Sequence, residues 1–166
     1  AIDSVPLTAI AFFMLTGELM TSATITDRLV ALSRALIGRI RGGLAQVNVL
    51  VSMFFAGMNG SVVADTATVG ALVLPAMKKA GYPAAFSAAV TGVSSTIGGI
   101  IPPSIMMIVL ANSTEISIAA LFAAGIIPGV LIGIVIMIIN HFFAIKYNFE
   151  RSDQPFSIRR AGKELY

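Results

Sequence analysis

The chain has 166 residues, of which 57% are hydrophobic and only 11% are charged, against about 25% charged residues in a typical globular protein. So few charges cannot cover a water-facing surface, which excludes an ordinary soluble domain and a disordered chain. The absence of Cys and the single His exclude disulfides, thiolate chemistry and imidazole metal clusters. We therefore expect an integral membrane protein whose chemistry rests on oxygen atoms.

The 11 Lys and Arg residues fall into three clusters along the chain. Short loops rich in Lys and Arg face the cytoplasm, so we place all three clusters on that side of the membrane. Residues 1–4 and 112–115 carry no base and are placed outside. No basic face runs continuously along one element, so the net charge of +3 does not indicate nucleic-acid binding. The clusters are Arg28, Arg34, Arg39 and Arg41; Lys78 and Lys79; and Lys146, Arg151, Arg159, Arg160 and Lys163.

The first two predicted elements are a membrane-spanning helix and a surface helix. Residues 1–25 contain an apolar run long enough to cross about 30 Å of hydrocarbon at about 1.5 Å per residue. Residues 26–43 begin with the helix-capping pair Thr26-Asp27 and place their Arg side chains opposite an apolar stripe. This pattern predicts a basic amphipathic helix at the membrane surface, with a solvated connector helix as the alternative. The stripe consists of Leu29, Leu32, Leu36 and Ile40.

The third predicted element, residues 44–77, lies between two cytoplasmic clusters, so the chain must return to the side that it left. As one continuous helix this segment is about 51 Å long, too long for one crossing, whereas two complete crossings need about 40 residues and a turn. The polar segment 59–61 divides it into two arms of about 23 Å each. We predict a re-entrant helical hairpin with its tip near the middle of the membrane.

Residues 84–111 must then cross to the outer side, but the segment 98–103, Gly-Gly-Ile-Ile-Pro-Pro, is incompatible with a continuous helix. We predict a discontinuous transmembrane helix with halves at 84–97 and 104–111. Its unwound stretch should lie at the depth of the hairpin tip.

Residues 118–145 are predicted to return to the cytoplasm as a transmembrane helix, followed by a cytoplasmic tail at 146–166. In this helix Gly125, Gly129 and Gly133 form a small-residue stripe suited to close helix packing, and Pro128 suits a kink. The predicted fold is therefore an all-α integral membrane protein with a re-entrant helical hairpin and a discontinuous transmembrane helix. This combination is typical of a transporter with a site near the middle of the membrane.

The two helix breaks are the predicted functional site. Irregular backbone survives at membrane depth only where it is buried in protein or faces a ligand or water, and paired breaks are typical of a transporter site. Half-helix C-termini coordinate cations through free carbonyls, and half-helix N-termini attract anions. Hydroxyl oxygens near the breaks suit Na⁺ and exclude soft metals. They belong to Ser61 and Thr66 on the hairpin and to Ser94, Ser95, Thr96 and Ser104 around the second break.

Asp65 lies one turn beyond the hairpin tip within an apolar segment. A carboxylate at this depth costs about 2.5–3.5 kcal/mol, so we expect it to face a partner. It is either an ion-site or coupling residue or a structural carboxylate that braces the hairpin. Glu18 is either functional or extends toward an Arg, while Glu115 is predicted to be a solvated loop charge and His141 an interfacial residue. No nucleotide-binding or hydrolase motif is present in the sequence, so we do not expect an enzyme.

Several ordered motifs resemble one family. They are Gly-Met-Asn-Gly-Ser-Val-Val-Ala-Asp-Thr-Ala at 57–67, Leu-Pro-Ala-Met-Lys-Lys-Ala-Gly-Tyr at 74–82 and Ser-Ser-Thr-Ile-Gly-Gly-Ile-Ile-Pro-Pro-Ser at 94–104. The opening at 2–7 and the surface segment at 34–48 match as well. Together they resemble the large membrane subunit of TRAP transporters, which are tripartite ATP-independent periplasmic transporters for organic acids. The resemblance covers nearly the whole chain.

The resemblance implies an elevator transporter of two inverted repeats, of which this chain contains the first, so we expect it to be part of a longer subunit. A periplasmic binding protein would deliver a C4-dicarboxylate or sialic acid to this subunit and its small membrane partner in the bacterial inner membrane. Na⁺, with no other metal or cofactor, would drive uptake. By motif match the Na⁺ site consists of Asn59, Gly60, Ser61, Asp65, Gly98, Gly99, Pro102 and Pro103. The hydroxyl residues given above would border the substrate pocket.

Two other functions remain open from the sequence. Re-entrant hairpins also build selectivity filters, so an ion channel or passive pore is one alternative. A purely structural membrane subunit is the other. An intramembrane protease would need a second catalytic group at the depth of Asp65, and the other carboxylates are predicted outside that depth.

Overall fold

The computed structural model describes residues 5–22, 25–37 and 40–149, and every regular element in these ranges is helical. Arg39, the tail beyond residue 149 and the side chains of Glu18 and Asp27 lie outside the described part. The elements are α1 (Val5–Ser22), α2 (Ile25–Ile37), α3 (Gly43–Asn59), α4 (Val62–Lys79), α5 (Ala84–Ser95), a 3-10 helix (Thr96–Gly99), α6 (Ile105–Thr114) and α7 (Ile118–Lys146).

Helices α3 and α4 form a hairpin with a two-residue junction. Gly60 ends α3 in the left-handed conformation, at φ 58° and ψ 19°, and its N–H donates to the Ala56 carbonyl. Ser61 is extended and caps α4, since its side chain accepts a hydrogen bond from the Ala64 N–H. The arms contain 17 and 18 residues, about 26 and 27 Å. They are longer than predicted because Asn59 continues α3 and both lysines continue α4.

The second break is shorter than the sequence predicts. Gly98 and Gly99 belong to the 3-10 helix rather than to unwound backbone. The N–H groups of Ile100 and Ile101 both donate to the Ile97 carbonyl at 2.9 Å, which ends the helical winding. Pro102 and Pro103, joined by a cis peptide bond, then lack the N–H groups that would continue it.

Helix α6 continues through Thr114, three residues beyond the end at residue 111 that the sequence predicts. The hydroxyls of Ser113 and Thr114 donate to the carbonyls of Val109 and Leu110, at 2.9 and 2.8 Å. Polar side chains therefore bond back to their own helix instead of ending it. The helix ends at Glu115, which adopts a left-handed conformation.

Helix α3 lies at the centre of the described structure and packs against α1, α2, α4, α5 and α7. Val47, Val49, Val51 and Phe55 are fully buried, although they lie on different faces of this helix. Helix α7 instead leaves large apolar side chains exposed along its outer face. Among the described helices, α7 is the one that is long and apolar enough to cross a membrane by the combined criteria of length and hydropathy.

Helix α2 packs on this core through one face. Leu29, Val30 and Ile37 contact the core, and Ser33 is fully buried between them. Leu36 and Ile40 of the predicted stripe are exposed. Helix α2 ends at Ile37, so Ile40 lies in the following turn, and the prediction of a helix at the membrane surface stays a prediction.

The glycine stripe of α7 packs closely against the rest of the chain. A Cβ at Gly125 would lie 2.5 Å from the Ile100 carbonyl oxygen, at Gly129 2.5 Å from Ile101 Cγ1, and at Gly133 2.5 Å from Met53 Sδ. The stripe thus positions α7 against both the second break and α3. The helix continues through Pro128.

Candidate functional site

The two helix breaks contact each other. The Ile105 N–H donates to the Gly60 carbonyl across the breaks at 3.3 Å. The Gly60 Cα lies against the Pro103 carbonyl so closely that a side chain would not fit, and a Cβ at Gly98 would lie 3.7 Å from the Ser61 carbonyl. Residues 60–61 and 98–104, which are far apart in the chain, therefore form a single site.

Ser61 and Ser104 occupy equivalent positions in the two breaks. Both are extended N-caps, at φ −119° and −121°, and each side chain accepts a hydrogen bond from the backbone N–H three residues later. The Ser104 hydroxyl also donates to the Gly99 carbonyl at 2.8 Å, which ties the end of the 3-10 helix to the start of α6. The hydroxyls thus fix both breaks in a defined geometry.

Four helix ends meet at this site. The C-termini of α3 and of the 3-10 helix end there at Asn59 and Gly99, and the N-termini of α4 and α6 begin there at Val62 and Ile105. C-terminal carbonyls carry partial negative charge and N-terminal N–H groups partial positive charge. Partial charges of both signs therefore lie close together at this site, which is the arrangement of helix ends found around ion and substrate sites in transporters.

The contacts of α7 with the breaks show how far the site lies from each end of this helix. Gly125 lies beside Ile100 in the break, and Gly133, near the middle of α7, lies beside Met53. At about 1.5 Å per residue the breaks are about 10 Å inward from the Ile118 end of α7 and about 30 Å from its Lys146 end. Helix α1 covers part of the tip, because Gly17 packs against the Asn59 Cβ.

Asp65 is the buried carboxylate next to the site. Its side chain is fully buried, and neither Oδ1 nor Oδ2 has a hydrogen-bond partner in the structure. The hydroxyls of Ser95 and Ser52 face this carboxylate and stabilise its charged form, although their shortest hydrogen bonds are to the Thr91 carbonyl and with the Ser94 hydroxyl. Two hydroxyls and no positive charge are incomplete compensation for a buried carboxylate, so it has the capacity to bind a cation that approaches it.

A buried polar network continues from Asp65 between α3 and α5. The Asn48 amide donates to the Thr91 hydroxyl at 2.7 Å, and the Ser52 and Ser94 hydroxyls are 3.1 Å apart. Asn48, Ser52 and Thr91 are not among the site residues predicted from the sequence. Their signal is the four-residue spacing of Asn48 and Ser52 within an apolar helix, which places both on one face.

The comparison with known proteins identifies the family. Residues 1–165 match the family described as "Tripartite ATP-independent periplasmic transporter, DctM component". The chain belongs to this family. It is 44% identical over 138 residues to the C4-dicarboxylate TRAP transporter large permease protein DctM of Pseudomonas aeruginosa, covering 83% of this chain and 32% of the relative.

Two further relatives agree with this assignment. The sialic acid TRAP transporter large permease protein SiaM of Vibrio cholerae is 40% identical over 148 residues, covering 89% of this chain and 35% of the relative. The 2,3-diketo-L-gulonate TRAP transporter large permease protein YiaN of Escherichia coli is 41% identical over 152 residues, covering 92% and 36%. The chain thus spans about a third of the length of these relatives, which are named as membrane transport permeases rather than enzymes.

Within this TRAP permease chain, the predicted site residues form two groups. Gly60, Ser61, Gly98, Gly99, Pro102, Pro103 and Ser104 lie at the contact between the breaks. Ser94 and Ser95 instead lie with Asp65 in the buried network. Thr66 and Thr96 belong to neither group, since both are exposed and donate to nearby backbone carbonyls, those of Val62 in α4 and Val93 in α5.

The oxygen and the nitrogen of the Asn59 side chain differ in their contacts. Its Oδ1 accepts the Ser61 N–H at 3.1 Å, so this oxygen stabilises the turn, while its buried Nδ2 has no partner. Among the described residues no group of three His, Cys, Asp or Glu side chains is placed to hold a metal. The oxygen atoms at the breaks are those of backbone carbonyls and of the Ser61 and Ser104 hydroxyls, with the Asp65 carboxylate in the first turn of α4.

Proposed function

We propose that this chain is the first-repeat part of the membrane subunit of a Na⁺-coupled secondary transporter that imports an organic acid. The observation that carries the proposal is the contact between the two breaks, in which Gly60 packs on Pro103 and accepts a hydrogen bond from Ile105. Such a contact joins cation-binding and anion-binding helix ends in one place, as coupled transport of Na⁺ and a carboxylate requires.

In this proposal the Na⁺ ion binds on the side of the helix C-termini. Its ligands come from the backbone of 59–61 and 98–103, from the Ser61 hydroxyl and, directly or through its charge, from Asp65. The buried carboxylate of Asp65, which faces hydroxyls and no described positive charge, supports this role because a nearby cation would offset the cost of burying it. Na⁺ acts as the coupling ion and is the one cofactor proposed.

The substrate is proposed to be an organic acid. The three relatives are named for a C4-dicarboxylate, sialic acid and 2,3-diketo-L-gulonate, each of which is an organic acid. A carboxylate group would bind near the N-termini of α4 and α6, bordered by the hydroxyls of Ser61 and Ser104. In this proposal Thr66 and Thr96 border the outer edge of the substrate pocket, and the buried residues Ser94 and Ser95 support the pocket from the protein interior.

The complete protein is proposed to be a multi-pass subunit of the bacterial inner membrane. It would work with a small membrane subunit and a periplasmic binding protein that delivers the substrate. The hairpin and the discontinuous helix would move together as an elevator, carrying the bound substrate across the lipid bilayer, since both contribute to one site.

The test is uptake of a labelled organic acid by proteoliposomes that contain the complete membrane subunits with their binding protein. Uptake should require a Na⁺ gradient. Ser61→Ala and Asp65→Asn should each reduce uptake at least about tenfold and raise the Na⁺ concentration for half-maximal rate, as expected when an ion ligand is lost. Ser113→Ala is the matched control, because its hydroxyl bonds to its own helix far from the breaks. Uptake without Na⁺, or uptake that is unchanged in both variants, would contradict the proposal.

A further inference from the structure

Four exposed basic residues meet at the end of the helix bundle opposite the breaks. Arg41 lies just before α3, Lys78 and Lys79 end α4, and Lys146 ends α7. We call these four residues the basic collar. They come from the three separate basic clusters of the sequence, and the proposed transport site uses none of them.

Tyr82 connects the elements that carry the basic collar. Its ring is buried and packs, tilted by 34°, against the ring of Phe149 with the ring centroids 4.5 Å apart, and its hydroxyl interacts with the backbone of Leu44. The loop that follows Lys79 is thereby joined to the start of α3 and to the end of α7. Gly42 adds a second connection, because a Cβ there would lie 2.5 Å from the Ala144 Cβ.

Positive charge at the basic collar is not neutralised by the described acidic side chains. These are Asp65, next to the breaks, and Glu115, at the opposite end of α6. The first turn of α3 contains no acidic residue, and Gly42 offers no side-chain cap. The N-terminus of α3 therefore adds partial positive charge beside Arg41.

Aromatic and apolar side chains adjoin the basic collar on α7. The Lys146 Nζ lies 5.7 Å from the centroid of the Tyr147 ring, which is exposed. Phe142, one turn earlier, is 66% exposed and leads into the apolar outer face of α7. Basic and aromatic residues at the end of an apolar helix are typical of the headgroup level of a membrane.

We propose that the basic collar binds the phosphate group of an anionic phospholipid, whose acyl chains lie along the outer face of α7. A lipid is the occupant that satisfies both parts of the surface, since it supplies a negative headgroup for the collar and hydrocarbon for Phe142 and the residues that precede it. The bound lipid would brace the hairpin arm α4 against α7 at their common end.

The test uses the full-length permease in nanodiscs of phosphatidylcholine with increasing phosphatidylglycerol, with bound phosphatidylglycerol counted by native mass spectrometry. The K78Q/K79Q variant should weaken lipid retention by about fivefold for each lysine removed. The K78R/K79R variant should retain the lipid. The matched control R28Q/R34Q removes the same charge from exposed positions on α2 and should change retention less than about twofold.

Three results would overturn the inference. The first is wild-type retention in K78Q/K79Q, and the second is an equal loss in R28Q/R34Q, which would indicate a general effect of surface charge. The third is displacement of the lipid from the wild-type protein by excess inorganic phosphate, which would indicate a site for the free anion. Thermal unfolding of each variant in detergent separates lost lipid binding from lost folding.

Discussion

Gly60 is the residue at which the two breaks approach each other most closely. It adopts φ 58°, and its Cα lies against the Pro103 carbonyl with no space for a side chain. Any L-residue here meets two separate costs. A left-handed conformation costs about 1–2 kcal/mol, and displacing rigid backbone costs about 1–3 kcal/mol more.

We expect Gly60→Ala to lower the thermal unfolding temperature of the complete permease and to abolish uptake. The control is Gly81→Ala, which has φ 79° but nothing within 4 Å of the added Cβ, so it measures conformational strain alone. The free energy of unfolding should fall by about 1–3 kcal/mol more for Gly60 than for Gly81. Equal losses would mean that the contact with Pro103 does not constrain the tip.

At the residue scale, the sequence identifies Asp65 because a carboxylate is rare in an apolar segment. It does not identify Ser52 or Thr91, since hydroxyl residues are ordinary in membrane helices and their partners depend on which helices become neighbours. The role of Asn59 also could not be predicted from its residue type alone. Its residue type suits an ion ligand, but the fold directs its oxygen to the Ser61 N–H.

At the element scale, the glycine stripe sets the distance between α7 and the second break. At Gly125 an added Cβ would lie 2.5 Å from the backbone oxygen of Ile100, which cannot move without deforming the break. At Gly92 on α5, which is exposed, an added Cβ meets nothing within 4 Å. Alanine substitutions at these two positions therefore distinguish the effect of helix packing on stability from the effect of helix propensity.

We expect Gly125→Ala to destabilise the permease by about 1–3 kcal/mol, because overpacking shifts the backbone. Gly92→Ala should be neutral or stabilising by up to about 1 kcal/mol, since Ala favours helix more than Gly. Thermal unfolding in detergent measures both changes. If Gly125→Ala is as well tolerated as Gly92→Ala, α7 is not fixed against the break.

The buried network gives a second prediction for the packing of elements. The hydrogen bond from Asn48 to Thr91 joins α3 to α5 at 2.7 Å. A double-mutant cycle with Asn48→Ala and Thr91→Val should show a coupling energy of about 0.6 kcal/mol, and at most about 1.7, as for other hydrogen bonds between membrane helices. Unfolding in detergent with increasing denaturant supplies the four free energies, and strictly additive losses would contradict the coupling.

The sequence predicts which segments form helices, but it does not predict where several of these helices end. Gly60 marks the hairpin junction correctly because a left-handed residue ends a helix and glycine adopts it easily. Gly98 and Gly99 suggest unwinding but remain in a 3-10 helix, which leaves the break to the prolines that follow. Ser113 and Thr114 suggest a loop but bond back to α6, because their side chains satisfy local carbonyls.

At the scale of the whole molecule, α3 is the packing centre and α7 presents an outer apolar face. Basic residues lie where α4 and α7 end, and Glu115 lies beyond the opposite end of the same bundle. This polarity follows from the sequence, because charges cannot enter hydrocarbon without cost. The depth of the breaks does not, since it depends on how α7 aligns with them through Gly125 and Gly133.

The depth of the hairpin tip can be tested with single cysteines, because this part of the protein contains none of its own. We expect Lys79→Cys in the complete permease to react with a membrane-impermeant maleimide from the cytoplasmic side only, and Ser113→Cys from the outer side only. Val63→Cys follows the tip and lies level with the breaks, about 10 Å inward from the outer end of α7. Its thiol should react much more slowly than Ser113→Cys, because ionisation of a thiol requires water.

A hairpin that crosses the membrane completely predicts a different result for Val63→Cys. Its tip would then stand in bulk water, so that Val63→Cys and Ser113→Cys would react from the outer side at similar rates. Addition of Na⁺ with substrate further distinguishes the two arrangements, since ligands between the breaks would shield Val63 and leave Ser113 unaffected. Rates that match in every condition would exclude a re-entrant tip and, with it, an ion site enclosed within the membrane.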